Sequence, residues 1–287
     1  MTERTGDDGG LQGPGRARVT GATSPSASYL ASLGVPDLDP LTYPFDPGYD
    51  AGTVEGHLAQ SGHLMAGFKL SMASWQLAAP GETNRKVRAA AGAGVPVVTG
   101  GGPFEVAVEA GRLEDYLALC SSIGVERIEA GQGFTKADLD PADIVKQAGA
   151  HHLGVQFELG AKHEGHFDRD QVDALVTLGK RWLDAGAACL VVEARESAQA
   201  VGLFDDQGRL NTALADRLAE GLGLESLVFE APDKRSQFAL LDHLGREACL
   251  SNIRLEEVLR VEIYRRGLHS DSYDKEGLAF ARPRSQG

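Results

Sequence analysis

The sequence predicts an α/β protein with the architecture of a (β/α)8 barrel, or TIM barrel. Apolar, β-rich runs alternate with helical patterns from Leu41 onward, and this alternation is typical of a parallel sheet built from βα units. Eight such runs fall within about 230 residues, which is the usual size of this barrel. No glycine-rich dinucleotide-binding motif opens a first βα turn, so an open doubly wound sheet is the less favoured alternative.

The eight predicted strands are residues 41–45, 63–70, 95–99, 127–130, 153–159, 189–193, 226–230 and 248–253. Helical spacing of apolar residues predicts helices over 113–122 and 172–182, and Trp182 is expected in the core. Gly94 and Gly186 fit the ends of helices, where glycine adopts the left-handed conformation.

The chain is expected to form one barrel domain between two tails. Residues 1–28 are rich in glycine, serine, threonine and proline and contain few large apolar residues, which predicts a disordered N-terminal tail. The barrel domain is predicted over 29–273, and a flexible C-terminal tail over 274–287.

Charge and composition exclude several classes of partner. The 287 residues carry a formal net charge of −13, which argues against binding to nucleic acid or to an anionic membrane surface. A small anionic substrate is compatible, because a few basic groups or a metal ion can dominate a pocket. No apolar run approaches the roughly 18–20 residues of a membrane span, and the N-terminus lacks the layout of a signal peptide. Three separated cysteines in apolar contexts indicate buried thiols, so we expect a cytoplasmic protein.

One charged stretch follows the sixth predicted strand. Glu193 and Arg195 come directly after the apolar run 188–192, where charge is badly placed for a core. Parallel α/β proteins carry their chemistry at the carboxyl ends of strands. We therefore predict that Glu193 and Arg195 face a small anionic substrate.

Other strands also end in polar groups. Lys69 lies at the end of the second predicted strand, and the acidic residues at or just beyond strand ends are Glu105, Glu129, Glu158, Glu193 and Glu230. A solvated loop or a salt bridge is the alternative role for any one of them. Five acids at one barrel mouth would repel each other unless basic groups or a divalent cation were present. Carboxylate ligands favour Mg²⁺ or Mn²⁺ over zinc.

Two segments are candidates for binding an anion. The glycines of 100–102, with Gly101 at their centre, could bring backbone N–H groups close to a phosphate, although such loops often serve turning geometry alone. Ser251, Asn252 and Arg266 follow the last strands, where barrels commonly bind phosphate. A charged surface helix is the alternative for the C-terminal segment.

Several ordered motifs together resemble the phosphosulfolactate synthase family over residues 41–273. They are Glu193-Ala-Arg-Glu-Ser197, Val201-Gly-Leu-Phe-Asp-Asp-Gln-Gly208, Leu227-Val-Phe-Glu-Ala-Pro-Asp-Lys234 with Gln237, Gly100-Gly-Gly-Pro-Phe-Glu105, Glu158-Leu-Gly-Ala-Lys162, Ser251-Asn-Ile253 and Arg266-Gly-Leu-His-Ser-Asp271. The resemblance implies a (β/α)8 barrel and the Mg²⁺-dependent addition of sulfite to phosphoenolpyruvate, which gives 2-phospho-3-sulfolactate. The family also contains plant heat-stress proteins.

The resemblance implies a role for each group of site residues. Mg²⁺ held by Glu129, Glu158 and Glu193 would stabilise the charge that develops on the substrate carboxylate as an aci-carboxylate. A lysine of lowered pKa would protonate C2, with Lys162 as the first candidate and Lys69 as the second. Arg195 and Arg266 would hold phosphate or carboxylate by fork-like hydrogen bonds. The remaining candidates for binding substrate or phosphate are Glu105, Gly101, Glu230, Ser251 and Asn252.

The sequence departs from the family pattern on predicted strands two to four. Lys69-Leu-Ser-Met-Ala-Ser74 replaces a lysine followed by Gly-Trp-Gly-Thr, and Glu129-Ala-Gly-Gln-Gly133 replaces Glu-Ile-Ser-Asp-Gly. The half of the site that receives the nucleophile is therefore expected to be altered, which allows a paralogue with a different nucleophile or enol substrate. Two other readings stay open: a Schiff-base aldolase or lyase that uses Lys162 or Lys69, and a non-catalytic, stress-related barrel. A homo-oligomer is expected.

Overall fold

Eight parallel strands close into a barrel in chain order, and β8 pairs with β1 to complete it. The computed structural model describes residues 24–135, 138–160 and 165–280. The strands are β1 Thr42–Asp46, β2 Phe68–Leu70, β3 Val97–Thr99, β4 Arg127–Ala130, β5 Gly154–Leu159, β6 Leu190–Val192, β7 Leu227–Glu230 and β8 Cys249–Ile253. The predicted (β/α)8 barrel is confirmed.

At least one helix follows every strand and covers the outside of the barrel. The helices are α1 Pro25–Ser32, α2 Ala51–Ser61, α3 Ser74–Leu77, α4 Pro80–Gly92, α5 Gly101–Glu109, α6 Leu113–Ile123, α7 Pro141–Ala150, α8 Arg169–Asp184, α9 Thr212–Leu222, α10 Lys234–Leu244 and α11 Val258–Arg265. Short 3-10 turns span Gly62–Leu64, Leu224–Ser226 and Leu255–Glu257. None of the helices described here is long and apolar enough to span a bilayer.

Helix α8 shows how local sequence sets these elements. Asp168 and Gln171 form a reciprocal capping box that satisfies backbone donors at the helix start. Gly186, with φ 103°, turns the chain just after the helix, as its sequence position predicts. Trp182 is fully buried and stacks on Phe157 with 4.2 Å between ring centroids, so its predicted core position is confirmed.

The second predicted strand is longer than the one that forms. Residues 62–64 make a 3-10 turn, and only Phe68–Leu70 pairs as β2. Gly67 lies between them against Tyr43, where an added Cβ would come within 2.4 Å of the tyrosine ring. The earlier part of the apolar run pairs with β1 through an isolated bridge between Met65 and Thr42.

The barrel interior has an apolar layer below a charged layer. Alternate residues of each strand point inward, so one strand contributes to both layers. The apolar layer contains Tyr43, Ala66, Val98, Cys189, Val191, Val228 and Cys249. The layer at the carboxyl ends contains the buried polar residues Lys69, Glu129, Gln156, Glu158, Glu193, Glu230 and Ser251. A polar floor at this end is where barrel enzymes build their sites.

The barrel domain extends beyond its predicted C-terminal boundary at residue 273. Leu278 is fully buried, and Arg246 donates hydrogen bonds to the carbonyls of Gly277 and Ala279. The prediction of a flexible tail from residue 274 is thus wrong up to residue 280, because Leu278 packs into the apolar core. At the other end, α1 begins at Pro25, ahead of the predicted domain start at residue 29.

Candidate active site

A cavity of about 1290 Å³ opens at the carboxyl ends of the strands. Its floor is formed by Lys69, Glu129, Glu158, Glu193 and Glu230, so the structure brings together five of the residues predicted from their strand-end positions. Each of these residues is at most 6% exposed. Because these side chains are buried, the charged groups around each one determine whether it is ionised.

Lys69 lies between two carboxylates. Its Nζ is 2.9 Å from Glu129 Oε1 and 3.2 Å from Glu230 Oε1. Burial alone would lower the pKa of Lys69, but Glu129, Glu230 and Glu158 outweigh it and raise that pKa above the ordinary lysine value. This differs from the lowered pKa that was expected for a proton donor. Lys69 therefore acts first as the counter-ion of the floor.

The carboxylate of Glu129 is fully engaged by donors. Its Oε1 accepts a hydrogen bond from the Gly101 backbone N–H at 3.0 Å as well as the contact from Lys69. Its Oε2 accepts from Gln156 Nε2 at 2.8 Å. Gly101, predicted to approach an anion, thus uses its N–H on a carboxylate of the protein itself.

Glu230 is held by a backbone turn at the end of β6. Its Oε2 accepts from the N–H groups of Ala194 and Arg195 at 3.0 and 3.1 Å. Arg195 has a left-handed φ of 56°, which lets the two consecutive N–H groups converge. Burial favours the neutral form, yet Lys69 and these backbone donors hold the pKa of Glu230 below its usual value. The Arg195 side chain is exposed and lines the cavity.

Glu193 is only partly satisfied by hydrogen bonds. Burial, with the nearby Glu230 and Glu158 carboxylates, raises its pKa to about 11. Its Oε1 accepts the Arg195 N–H at 2.5 Å, whereas its Oε2 is buried and has no hydrogen-bond partner among the described residues. In the described part of the floor, four carboxylates face one ammonium group. A retained proton or a bound cation would relieve this excess of negative charge.

A pair of floor carboxylates could hold the Mg²⁺ that the sequence predicts. Among the residues that the structure describes, no group of three or more His, Cys, Asp or Glu side chains is arranged to hold a metal ion. Mg²⁺ often takes only one or two carboxylates and completes its shell with water and substrate oxygens. Glu158 and Glu193 can serve as that pair, since Glu129 already binds three donors. The arrangement suits this pair better than the predicted set of three that included Glu129.

A second polar region lies where β8 meets the cavity. Ser251 Oγ and Asn252 Oδ1 are buried and have no hydrogen-bond partner within the described ranges. Asn252 has φ 57° and lines the cavity with Arg254, whose guanidinium lies 5.8 Å from the centroid of the Phe45 ring. Asn252 thus lines the cavity and Ser251 lies buried next to it on β8, while their contact with a substrate stays a prediction. Arg254 stands just after the last strand and belongs to the same candidate anion-binding segment as Asn252.

Arg266 lies at the opposite end of the barrel, so its predicted contact with substrate is wrong. It is paired with Glu262, which also accepts a hydrogen bond from Thr42 Oγ1 at the start of β1. The prediction treated Arg266 as part of a loop after the eighth strand. Helix α11 intervenes and returns the chain to the amino ends of the strands.

Glu105 holds a loop beside the cavity. Its carboxylate accepts hydrogen bonds at 3.0 Å from the backbone N–H groups of Gly133, Phe134 and Thr135 and from Thr135 Oγ1. Both oxygens are thereby occupied by the loop after β4. A direct contact between Glu105 and substrate stays a prediction.

Lys162, the first candidate for the proton donor, lies outside the described residues. It belongs to a short stretch after β5, two residues beyond Gly160. Its proposed role therefore rests on sequence alone.

Comparison with known proteins shows similarity to one enzyme family. Residues 36–271 match the family model described as (2R)-phospho-3-sulfolactate synthase (ComA). A phosphosulfolactate synthase of Methanocaldococcus jannaschii is 30% identical over 236 residues, which covers 82% of this chain and 94% of that protein. One from Bacillus subtilis is 26% identical and covers 61% of this chain and 69% of its own length. Among solved structures, pyruvate carboxylase of Rhizobium etli shares the barrel fold with a TM-score of 0.54 at 9% identity, covering 84% of this chain and 26% of that one.

Proposed function

The chain belongs to the phosphosulfolactate synthase family, and from this membership we propose that it adds a sulfur nucleophile to C3 of phosphoenolpyruvate. Sulfite is the nucleophile in the simplest form of the proposal. Sulfur forms a bond to C3, the electron pair of the C2=C3 bond moves toward C2 and the carboxylate, and a proton is added at C2. No group leaves, so the product of sulfite addition is 2-phospho-3-sulfolactate.

The buried carboxylate pair Glu158 and Glu193 carries this proposal. The pair lies at the bottom of a cavity that Arg195, Asn252 and Arg254 also line. Acids alone would repel a substrate with a phosphate and a carboxylate, while basic groups beside a divalent cation would attract it. The arrangement thus supports an anionic substrate that binds together with a metal ion.

Each side chain has a task in this reaction. Arg195 and Arg254 bind the phosphate or the carboxylate through their guanidinium groups, which are suited to fork-like contacts. Asn252 orients the same anion from the β8 side. Glu158 and Glu193 would hold Mg²⁺, which when bound supplies a Lewis acid for the negative charge that develops on the substrate carboxylate.

A lysine provides the proton for C2. Lys69 is a weak acid while Glu129 and Glu230 remain ionised, because they favour its protonated form. Lys162 therefore stays the preferred donor, as the sequence suggested. Lys69 keeps the floor carboxylates in place and balances their charge.

The proposal is tested by incubating the purified protein with phosphoenolpyruvate, sulfite and Mg²⁺ and measuring the sulfonate product by mass spectrometry. Glu193→Gln is expected to reduce both turnover and the Mg²⁺ affinity seen by calorimetry. The loss of affinity should exceed the roughly 10–100-fold that loss of an outer-shell partner typically causes. Glu109→Gln, at an exposed position on α5, is the matched control and should behave like the native protein.

Other outcomes identify the competing functions. Binding of phosphoenolpyruvate without a sulfonate product points to a paralogue with another nucleophile. Trapping of pyruvate by borohydride at a lysine would favour the Schiff-base reading, which a protonated Lys69 disfavours since only a neutral amine attacks a carbonyl. A protein that binds neither Mg²⁺ nor phosphoenolpyruvate would be the non-catalytic barrel. Sedimentation velocity tests the expected homo-oligomer.

A further inference from the structure

The cavity has a second part, an apolar chamber beside the charged floor. Its wall comes from the loop after β2, from α5 and α6, and from the loop after β4. The chamber is lined by Met72, Val106, Ala110, Tyr116, Leu119 and Phe134. Arg112 and Asp115 form an exposed ion pair at 2.7 Å and also line the cavity on this side.

Exposed apolar side chains are concentrated in this chamber. Within the described residues, the exposed fractions are 54% for Met72, 57% for Val106, 43% for Leu119 and 46% for Phe134. These four are among only nine large hydrophobic residues that are exposed in the described chain. Apolar surface gathered in one concave place, with a polar rim, is typical of a binding site.

The chamber walls are fixed by the backbone and by buried contacts. Glu105 ties down residues 133–135 and so sets the position of Phe134. The Phe134 ring lies over the start of α5, where a Cβ on Gly102 would be 3.8 Å from its Cε1. Met72 has a left-handed φ of 51°, and its backbone N lies 3.4 Å from the position of a Cβ on Gly100. A chamber with fixed walls can accept a ligand with little loss of conformational entropy.

The size of the cavity exceeds what the simplest substrates need. Pockets of about 300–1,000 Å³ hold drug-sized ligands, and phosphoenolpyruvate with sulfite is much smaller. The cavity here measures about 1290 Å³, and the apolar chamber is continuous with the carboxylate floor. A second molecule or a larger substituent therefore has room beside the reacting atoms.

From these observations we propose that the apolar chamber binds an apolar group attached at the carbon–sulfur bond being formed. The inference rests on the proposed function. Arg195, Asn252 and Arg254 follow β6 and β8, on the far side of the eight-strand ring from α5 and α6. With phosphate and carboxylate held there, C3 of the enol phosphate faces the chamber.

The apolar group has two chemical sources. An organic thiolate RS⁻ can replace sulfite, so that sulfur bonds to C3, a proton is added at C2 and the product is a thioether of phospholactate. Alternatively, sulfite can add to an enol phosphate that carries an alkyl group on C3. In both cases no group leaves, and the same apolar surface of Val106, Leu119 and Phe134 is covered.

A binding series tests the chamber without turnover. Calorimetry with n-alkanesulfonates from ethane- to octanesulfonate, in the presence of Mg²⁺, should show affinity that rises up to about fourfold per methylene until the chamber is full. Val106→Glu places a charge in the chamber and is expected to abolish this rise. Ala110→Trp fills part of the chamber with an apolar side chain instead. In this variant the affinity should stop rising at a shorter alkyl chain than in the native protein. Ile263→Glu, on the exposed face of α11, is the matched control and should keep the full series.

Turnover then separates the two sources. Mass spectrometry of a reaction of n-alkanethiols with phosphoenolpyruvate detects thioethers, and sulfite with C3-alkyl enol phosphates gives branched sulfonates. If either reaction gives more product with longer alkyl chains, the inference about the chamber is supported and the source of the apolar group is identified. Equal affinity along the series, or the same rise in Val106→Glu, overturns the inference.

Two further outcomes are informative. If Val106→Glu dissociates an oligomer in sedimentation velocity while the native series is flat, the apolar surface is an interface between copies of the chain and the inference is wrong. Titration with phosphoenolpyruvate alone tests the proposed function separately. If the protein binds the long alkanesulfonates but not phosphoenolpyruvate, the inference about the chamber holds and the proposed reaction is wrong.

Discussion

At the scale of single residues, charge balance in a buried place is the main feature of the site. The ammonium group of Lys69 contacts Glu129 and Glu230, and both are less than 4% exposed. A buried carboxylate without a counter-ion either takes up a proton or destabilises the fold. Lys69 helps to hold the pKa of Glu230 below its usual value, while burial raises the pKa of Glu193 so that it favours its protonated form.

Replacing Lys69 is therefore expected to destabilise the protein strongly. Breaking a buried ion pair by removing one partner typically lowers the free energy of unfolding by about 3–5 kcal/mol, and we expect Lys69→Met to fall in this range in urea denaturation. The control is Arg85→Met, which removes an ion pair with Glu55. The side chains of Arg85 and Glu55 are 45% and 41% exposed. Such surface pairs contribute about 1 kcal/mol or less. If both variants lose the same free energy of unfolding, Lys69 is not the group that balances the negative charge of the floor.

Arg195 combines a strained backbone with an exposed side chain, and two variants separate these properties. Its φ of 56° is unfavourable for residues other than glycine by about 1–2 kcal/mol. Arg195→Gly should be at least as stable as the native protein in thermal unfolding, because glycine adopts this conformation freely. It should also bind phosphoenolpyruvate more weakly, by calorimetry. Arg195→Lys should keep the native stability and lose part of the affinity, since lysine lacks the planar fork. Unchanged affinity in the glycine variant would remove Arg195 from the anion site.

At the scale of elements, α5 organises the side of the cavity next to the apolar chamber. Its first residue, Gly101, donates to Glu129, and its fifth, Glu105, holds the loop after β4. Val106 then faces the apolar chamber. One short helix thus positions a floor carboxylate, a loop and an apolar wall.

Weakening the Glu105 contact should loosen that loop without unfolding the barrel. A glutamine at this position keeps one acceptor oxygen and turns an amide donor toward backbone N–H groups. Hydrogen bonds to charged groups contribute about 1.5–3 kcal/mol each, so we expect Glu105→Gln to speed hydrogen exchange at the amides of Gly133, Phe134 and Thr135. Exchange in β5 should stay slow. Glu109→Gln on the same helix is the control, and equal loop exchange in both variants would argue against the predicted role.

The sequence predicted positions along strands better than directions of helices. Glu158 and Glu230 stand near the carboxyl ends of β-rich runs, so their position at the mouth could be predicted from the sequence alone. Arg266 could not, because its place depends on how far α11 carries the chain back down the barrel. The role of Glu105 was also hidden, since its partners are backbone N–H groups of residues 133–135. Hydrogen bonds to backbone N–H groups cannot be predicted from the pattern of side chains in the sequence.

At the scale of the whole molecule, α11 contacts the chain where the first and the last strand of the barrel begin. Its Glu262 accepts a hydrogen bond from Thr42 Oγ1 at 2.5 Å, next to the start of β1. Arg265 contacts Glu262 at 3.1 Å and donates to the Ala248 carbonyl, just before β8, at 2.6 Å. The first and last strands are the pair that must meet for the barrel to close. A buried ion pair therefore lies at the closure of the fold, far from the proposed chemistry.

This closure should make the barrel sensitive to acid. Burial would raise the pKa of Glu262, but Arg265, Arg266 and the Thr42 hydroxyl outweigh it and hold that pKa below its usual value. A carboxyl of depressed pKa contributes stability that is full above its unfolded pKa of about 4.3 and is lost as the pH falls through the folded pKa. We expect the native free energy of unfolding to decrease steadily below about pH 4. Glu262→Gln should be less stable by about 3–5 kcal/mol at pH 7, because Arg265 stays buried without its partner, and its stability should fall less steeply toward acid. Urea denaturation of both proteins between neutral and acid pH measures the two slopes; parallel slopes would mean that other carboxyls control acid unfolding.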